Sequence, residues 1–98
     1  MDKKVYSIKD DIFFDKNPEG IFILSPTGET LILDDDVAMI IWQELKDNLS
    51  IKTKKLVDKL LVEFKLANSE RKDVENDVNR FLAELLNYEL VEERNYEL

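Results

Sequence analysis

The sequence predicts an α+β domain in which a three-stranded antiparallel sheet is followed by three helices. Three observations lead to this. Between Glu29 and Leu45 the apolar period changes from two to helical: Leu31 and Leu33 alternate with Thr30 and Ile32, whereas Val37, Ile41 and Leu45 recur at four-residue spacing. Two tetrapeptides, Asn17-Pro18-Glu19-Gly20 and Ser25-Pro26-Thr27-Gly28, separate short apolar runs. Connections this short reverse a chain but cannot cross over between parallel strands. Beyond residue 50 the apolar residues keep a helical period, broken near Leu66-Ala67-Asn68.

Each element follows from its residues. Val5, Tyr6 and Ile8 form a weak apolar cluster, a lead-in of strand character. Ile12-Phe13-Phe14 is the first strand of the sheet, Ile21 to Leu24 the second and Thr30 to Leu33 the third. Asp34-Asp35-Asp36 marks the junction to the first helix. An aspartate caps free backbone N–H groups and suits the positive end of the helix dipole, so Asp35 or Asp36 is expected to open this helix. A cation site is the weaker reading of the three carboxylates, because adjacent side chains diverge and no spaced loop of oxygen ligands follows.

The first helix carries Val37, Ala38, Ile41 and Leu45 at the centre of its stripe, with Ile40 and Trp42 on the flanks, enough apolar surface to be covered on two sides. Ser50 is the expected cap of a second helix that ends near Lys65 and groups Val57, Leu60, Leu61 and Phe64. Ser69 is expected to open the third helix, whose stripe is Val74, Val78, Phe81, Leu82 and Leu85 and which fades near Tyr88 to Leu90. Asn-Tyr-Glu-Leu recurs at 87–90 and 95–98, and the second copy reads as a frayed tail.

The 98 residues suffice for one modest core, divided into a lead-in (1–9), the domain proper (10–93) and a tail (94–98). There is no cysteine and no histidine, which removes thiol nucleophiles, disulfides, zinc ligation and imidazole acid–base chemistry. Glu89, Glu92 and Glu93 form no recognisable acid–base pair, and the expectation is a protein that is not an enzyme and needs no cofactor or metal. The longest unbroken apolar run, Val37 to Trp42, is six residues, so a cytoplasmic protein with no membrane partner is expected.

Charge narrows the partners. The net charge is -8; residues 1–50 carry 5 basic and 11 acidic side chains, residues 51–67 carry 5 and 2, and residues 68–98 carry 4 and 9. Nucleic-acid binding needs a concentrated basic surface, and only the middle segment offers lysines, which on one helix usually form a solvated face.

The order of elements and a set of residues give the chain a family likeness. Leu31-x-Leu33 precedes the acidic turn, Ala38 and Ile41-Trp42 lie in the first helix, and Leu56, Leu60 and Phe64 lie in the second. Asp77-Val78, Phe81-Leu82 and Leu85 follow in the third helix, before Leu90-Val91-Glu92. Over residues 10–93 this pattern resembles the PqqD-like family, domains that recognise leader peptides in pathways making ribosomally synthesised, modified peptides. The family often has glycine after the first helix and before the Leu-Val step, where this chain has Asp47-Asn48 and Tyr88-Glu89.

The resemblance implies a winged helix-turn-helix-like unit, with the leader peptide added as a strand beside the third strand and lying against the third helix. Thr30, Leu31, Ile32 and Leu33 would then form the backbone docking edge, and Asp73, Val74, Asp77, Val78 and Phe81 the helical wall. The apolar members of this set are equally suited to the core. Asp73 and Asp77 are either a solvated face or a feature that selects basic leader side chains. The implied role is a peptide chaperone, a monomer or weak dimer, serving a separate enzyme such as a radical-SAM maturase or a cyclodehydratase. The competing reading is a winged-helix transcription regulator, disfavoured because its recognition helix would be the acidic segment from Ser69.

Overall fold

Two hairpins set the arrangement in the computed structural model, which describes residues 4–95. The first joins β2 (Phe13–Asn17) to β3 (Gly20–Leu24), and the Asn17 side-chain oxygen accepts from the Glu19 N–H at 2.8 Å to shape the turn. Gly20 has φ 142°, and a Cβ there would stand 2.5 Å from the Leu33 carbonyl oxygen, so this position is closed to any side chain. The second hairpin joins β3 to β4 (Thr30–Leu33). Its turn is closed by Gly28 N–H donating to the Ser25 carbonyl at 2.9 Å, with Gly28 at φ 93°. β3 is the centre of a sheet ordered β2-β3-β4, antiparallel throughout.

A second three-stranded sheet corrects the expectation of a single one. β1 (Lys4–Ile8) is its central strand, flanked by β5 (Ile51–Lys52) and β6 (Val91–Asn95). The lead-in is thus an integral strand. Arg94 and Asn95, read as tail, pair with Val5 and Lys4; residues 96–98 lie outside the described residues. The sequence hides this sheet because four of the five β6 residues are exposed and polar, leaving no alternation to detect. What holds β6 is register with β1 and the Tyr6 hydroxyl donating to Glu93 Oε2 at 2.6 Å.

The helices are α1 (Asp36–Asp47), α2 (Thr53–Glu63) and α3 (Arg71–Asn87). Asp35 caps α1, its Oδ1 accepting from the Ala38 N–H at 2.9 Å. Ser50 is not the cap of α2. Ile51 and Lys52 are drawn into pairing with Tyr6 and Val5, so the helix starts two residues later, at Thr53, with no side-chain cap. Nor does Ser69 open α3: a 3-10 turn over Asn68–Glu70 precedes it, held by the Glu70 carboxylate accepting from Ala67 N–H at 3.1 Å.

The core joins both sheets to the helices: Ile21, Ile23 and Leu33 of the β2-β3-β4 sheet and Tyr6, Ile51 and Val91 of the second sheet share it with Leu90 and with Ala38, Ile41, Trp42 and Leu45 of α1. Leu56, Val57, Leu60 and Leu61 of α2 and Val78, Leu82 and Leu85 of α3 complete it. Trp42, expected on a flank, is fully buried, whereas Val37, expected at the centre of the stripe, is 37% exposed. Phe64, grouped with the apolar face of α2, caps that helix and is also 37% exposed. Among the described residues, no helix is long and apolar enough to cross a membrane.

Candidate functional site

Hydrogen-bond parity makes β4 a usable edge. In an antiparallel pair, residues that exchange backbone bonds alternate with residues that do not. Ser25 N–H donates to the Glu29 carbonyl at 2.8 Å, which makes Ser25 and Glu29 a bonded pair. By the register Leu24↔Thr30, Ile23↔Leu31, Phe22↔Ile32 and Ile21↔Leu33, the backbone groups of Leu31 and Leu33 therefore face β3. Those of Thr30 and Ile32 face the opposite way, along the edge where no strand is paired among the described residues.

Side chains alternate with the same period. Leu31 and Leu33 point to the core face with Ile23 and Ile21, Leu33 being 4% exposed, while Thr30 and Ile32 stand on the outer face. Ser25 fixes the hairpin against the end of α3. Its buried hydroxyl donates to the Tyr88 carbonyl at 2.6 Å and shares a hydrogen bond with Thr27 Oγ1 at 2.7 Å.

Where β4 ends, a depression of about 340 Å3 opens between the first turn of α1 and the exposed side of α3. Asp35, Val37, Ala38, Asp77, Arg80, Phe81 and Glu84 line it. Its α3 members recur at three- and four-residue spacing, so one helix face presents them all. Val37 and the half-buried Phe81 supply apolar surface; Arg80 pairs with Asp77 at 3.5 Å, and Asp35 and Glu84 leave the lining acidic.

The expected wall is only partly assembled there. Asp77 and Phe81 line the depression, whereas Asp73, Val74 and Val78 do not. Val78 is fully buried and belongs to the core, Val74 packs at the edge of that core, and Asp73 is an exposed first-turn residue of α3. Asp35, Val37, Ala38, Arg80 and Glu84 were not expected. Arg80 and Glu84 could have been found by extending the Asp77 helix face by three and seven residues; the α1 residues depend on how the two helices pack. A larger depression, about 590 Å3, lies at the far end of α1 among Val5, Ile51, Lys52, Lys55, Lys59 and Val62. The smaller one is the better candidate because Asp35, two residues beyond the end of the open-edged β4, lines it. No three or more carboxylates gather into a metal-holding group among the described residues.

The family model for coenzyme PQQ synthesis protein D (PqqD) matches residues 17–91. The chain belongs to the PqqD family. This PqqD-family chain is also similar to a solved structure, TbiB1 in complex with the TbiA(beta) leader peptide. The two are 29% identical with a TM-score of 0.74, and the match covers 88% of this chain and 94% of the TbiB1 chain. No curated protein matches. The departures from the PqqD-like pattern now have physical readings. Glu89 stands at φ 58°, a conformation glycine adopts most easily, whereas Asn48 is extended at φ -120° and needs none.

Proposed function

We propose that this PqqD-family domain binds the leader segment of a ribosomally made precursor peptide by strand addition to β4 and presents it to a separate modifying enzyme. The observation that carries the reading is the open edge of β4, whose Thr30 and Ile32 backbone groups face away from the sheet; an apolar and acidic depression begins at Asp35, two residues beyond that strand. An added strand satisfies such groups with bonds that depend little on peptide sequence, and the depression supplies side-chain selectivity. TbiB1, similar over most of its length, is described with a leader peptide bound, and this supports the same use here.

In this reading Thr30 to Leu33 are the docking edge. Asp77 and Phe81 contact the peptide directly, Val74 and Asp73 border its path, and Val78 holds α3 in place from beneath. The helices and the β3–β4 hairpin act as a winged helix-turn-helix-like scaffold, working as a monomer or weak dimer. Chemistry is left to a partner enzyme of radical-SAM or cyclodehydratase type, and this domain's part is to raise the local concentration of substrate. The DNA-binding reading gains nothing from α3, which exposes Asp73, Asp77 and Glu84.

The test is an NMR titration of the labelled protein with its cognate leader peptide. Amide shifts should concentrate on residues 30–33 and on the α3 residues of the depression. Saturable binding that leaves those amides unmoved would overturn strand addition at β4.

A further inference from the structure

The two ends of β4 differ in charge. At the Thr30 end the hairpin turn, Ser25 to Gly28, carries no charge, and Glu29 is the one acidic residue between that turn and the strand. At the Leu33 end the chain runs into Asp34, Asp35 and Asp36, all exposed, and then into the depression where Asp77, Arg80 and Glu84 of α3 stand across from α1. Five carboxylates and one guanidinium thus lie beyond a strand whose own side chains are uncharged.

The fold uses only part of this charge. Asp35 caps α1 and Asp36 lies in its first turn, where they meet the positive end of the helix dipole, about half a charge, and Asp77 pairs with Arg80 at 3.5 Å. Asp34 and Glu84 join no ion pair among the described residues. Nor do the carboxylates converge into a metal-holding group among those residues. In the depression they border apolar surface instead, the exposed Val37 and the half-buried Phe81. Such a lining suits lysine and arginine, whose methylene stems cover apolar side chains while the charged head reaches a carboxylate.

Strand polarity decides which part of a leader meets these groups. Every strand pairing among the described residues is antiparallel, and antiparallel pairing is the more stable per residue. A leader antiparallel to β4 has its N-terminal side at Leu33 and its C-terminal side at Thr30. We propose that this domain selects leaders with a cluster of lysine or arginine immediately N-terminal to the strand-forming segment, held by Asp34, Asp77 and Glu84, and makes no such demand on the C-terminal side. The inference rests on strand addition at β4 and adds the chemical class of leader that the edge accepts. The same field repels strands with acidic flanks.

The test uses the full chain and a displayed library of random peptides about twelve residues long, enough for a paired segment with a flank on either side. Peptides retained by the parent should carry lysine or arginine on the N-terminal side of a short alternating apolar segment, at least about threefold above the library. One retained peptide, synthesised with a nitroxide at its N-terminus, should shift the amides of residues 30–33 and broaden those of residues 34–36 more than those of Thr27 and Gly28. The double variant Asp34→Asn, Asp77→Asn changes exposed side chains, and an unchanged urea midpoint checks its fold. It should bind that peptide about tenfold more weakly at low salt, with the difference shrinking at about 0.5 M. Retained peptides that shift residues 30–33 but show no basic preference, or show it on the C-terminal side, overturn the proposal and leave strand addition standing. So does equal affinity of parent and variant at low salt. Retained peptides that leave residues 30–33 unmoved overturn strand addition itself, and a parent that retains no peptide overturns both.

Discussion

Trp42 combines the largest buried side chain with an unpaired polar atom. Its ring meets Phe14 edge-on at 5.5 Å and 82°, and its Nε1 has no hydrogen-bond partner among the described residues. Two opposed consequences can be separated by substitution. Trp42→Ala leaves a cavity between sheet and helices and should cost about 3–5 kcal/mol. Trp42→Phe leaves a smaller void and also removes the orphan donor, whose burial costs about 1–3 kcal/mol, so its loss should stay under about 1.5 kcal/mol. Urea unfolding of the two variants checks the ordering. Glu89 is informative in the other direction. Leu90 N–H donates to the Leu85 carbonyl and Glu89 N–H to the Leu86 carbonyl, both at 3.0 Å, a Schellman ending with Glu89 at its left-handed position. Glu89→Gly should raise stability by up to about 1 kcal/mol, visible as a higher urea midpoint at unchanged slope. The family's glycine preference thus has a backbone cause that the residue names alone do not reveal.

At the scale of elements, β4 has two sides with different duties, and proline tells them apart. Proline removes a backbone donor and cannot serve inside a ladder. Thr30→Pro removes an outward N–H and should leave the hairpin folded while weakening leader binding about three- to tenfold, the worth of one net hydrogen bond. Leu31→Pro removes an N–H that pairs with β3 and should unfold the hairpin, costing about 3 kcal/mol or more. Leader titration calorimetry and urea unfolding on the two variants measure both effects; equal leader affinity of parent and Thr30→Pro would show that the edge is not used. β6 supplies a parallel test. A chain ending at Leu90 loses every partner of β1 on one side, including the buried Val91 and the Glu93 carboxylate that receives both the Tyr6 hydroxyl and Lys4 Nζ, the latter at 3.3 Å. That truncation should lower the urea midpoint strongly.

For the whole molecule, charge distribution matters more than total charge. The depression beyond the end of β4 is acidic, and three of the five lysines of residues 51–67, Lys52, Lys55 and Lys59, line the one at the opposite end of α1 together with Glu44 and Asp58. Asp77→Lys reverses one charge of the wall, and because the Asp77 side chain is 63% exposed the effect is a screened one. Binding of a leader with basic residues should weaken about three- to tenfold at low salt, and the difference should shrink at about 0.5 M salt; fluorescence anisotropy at two ionic strengths reads both. The sequence by itself determined the first sheet, the three helices and an aspartate cap at Asp35 or Asp36, of which the structure uses Asp35. These are encoded locally, in two turn tetrapeptides and in apolar periods that a single element satisfies without reference to any other. It also carried the family pattern, and through it Asp77 and Phe81, two of the residues that line the depression. Only the tertiary structure decided the second sheet, since β5 is two residues long and β6 is mostly polar, and neither is a strand except by pairing with β1. It alone decided that Trp42 replaces Val37 at the centre of α1, because a stripe wide enough for two contacts does not say which half meets the sheet. It likewise brought Asp35, Val37 and Ala38 to face Arg80 and Glu84, residues about forty positions apart. Such a juxtaposition depends on how two helices pack, which no local period encodes.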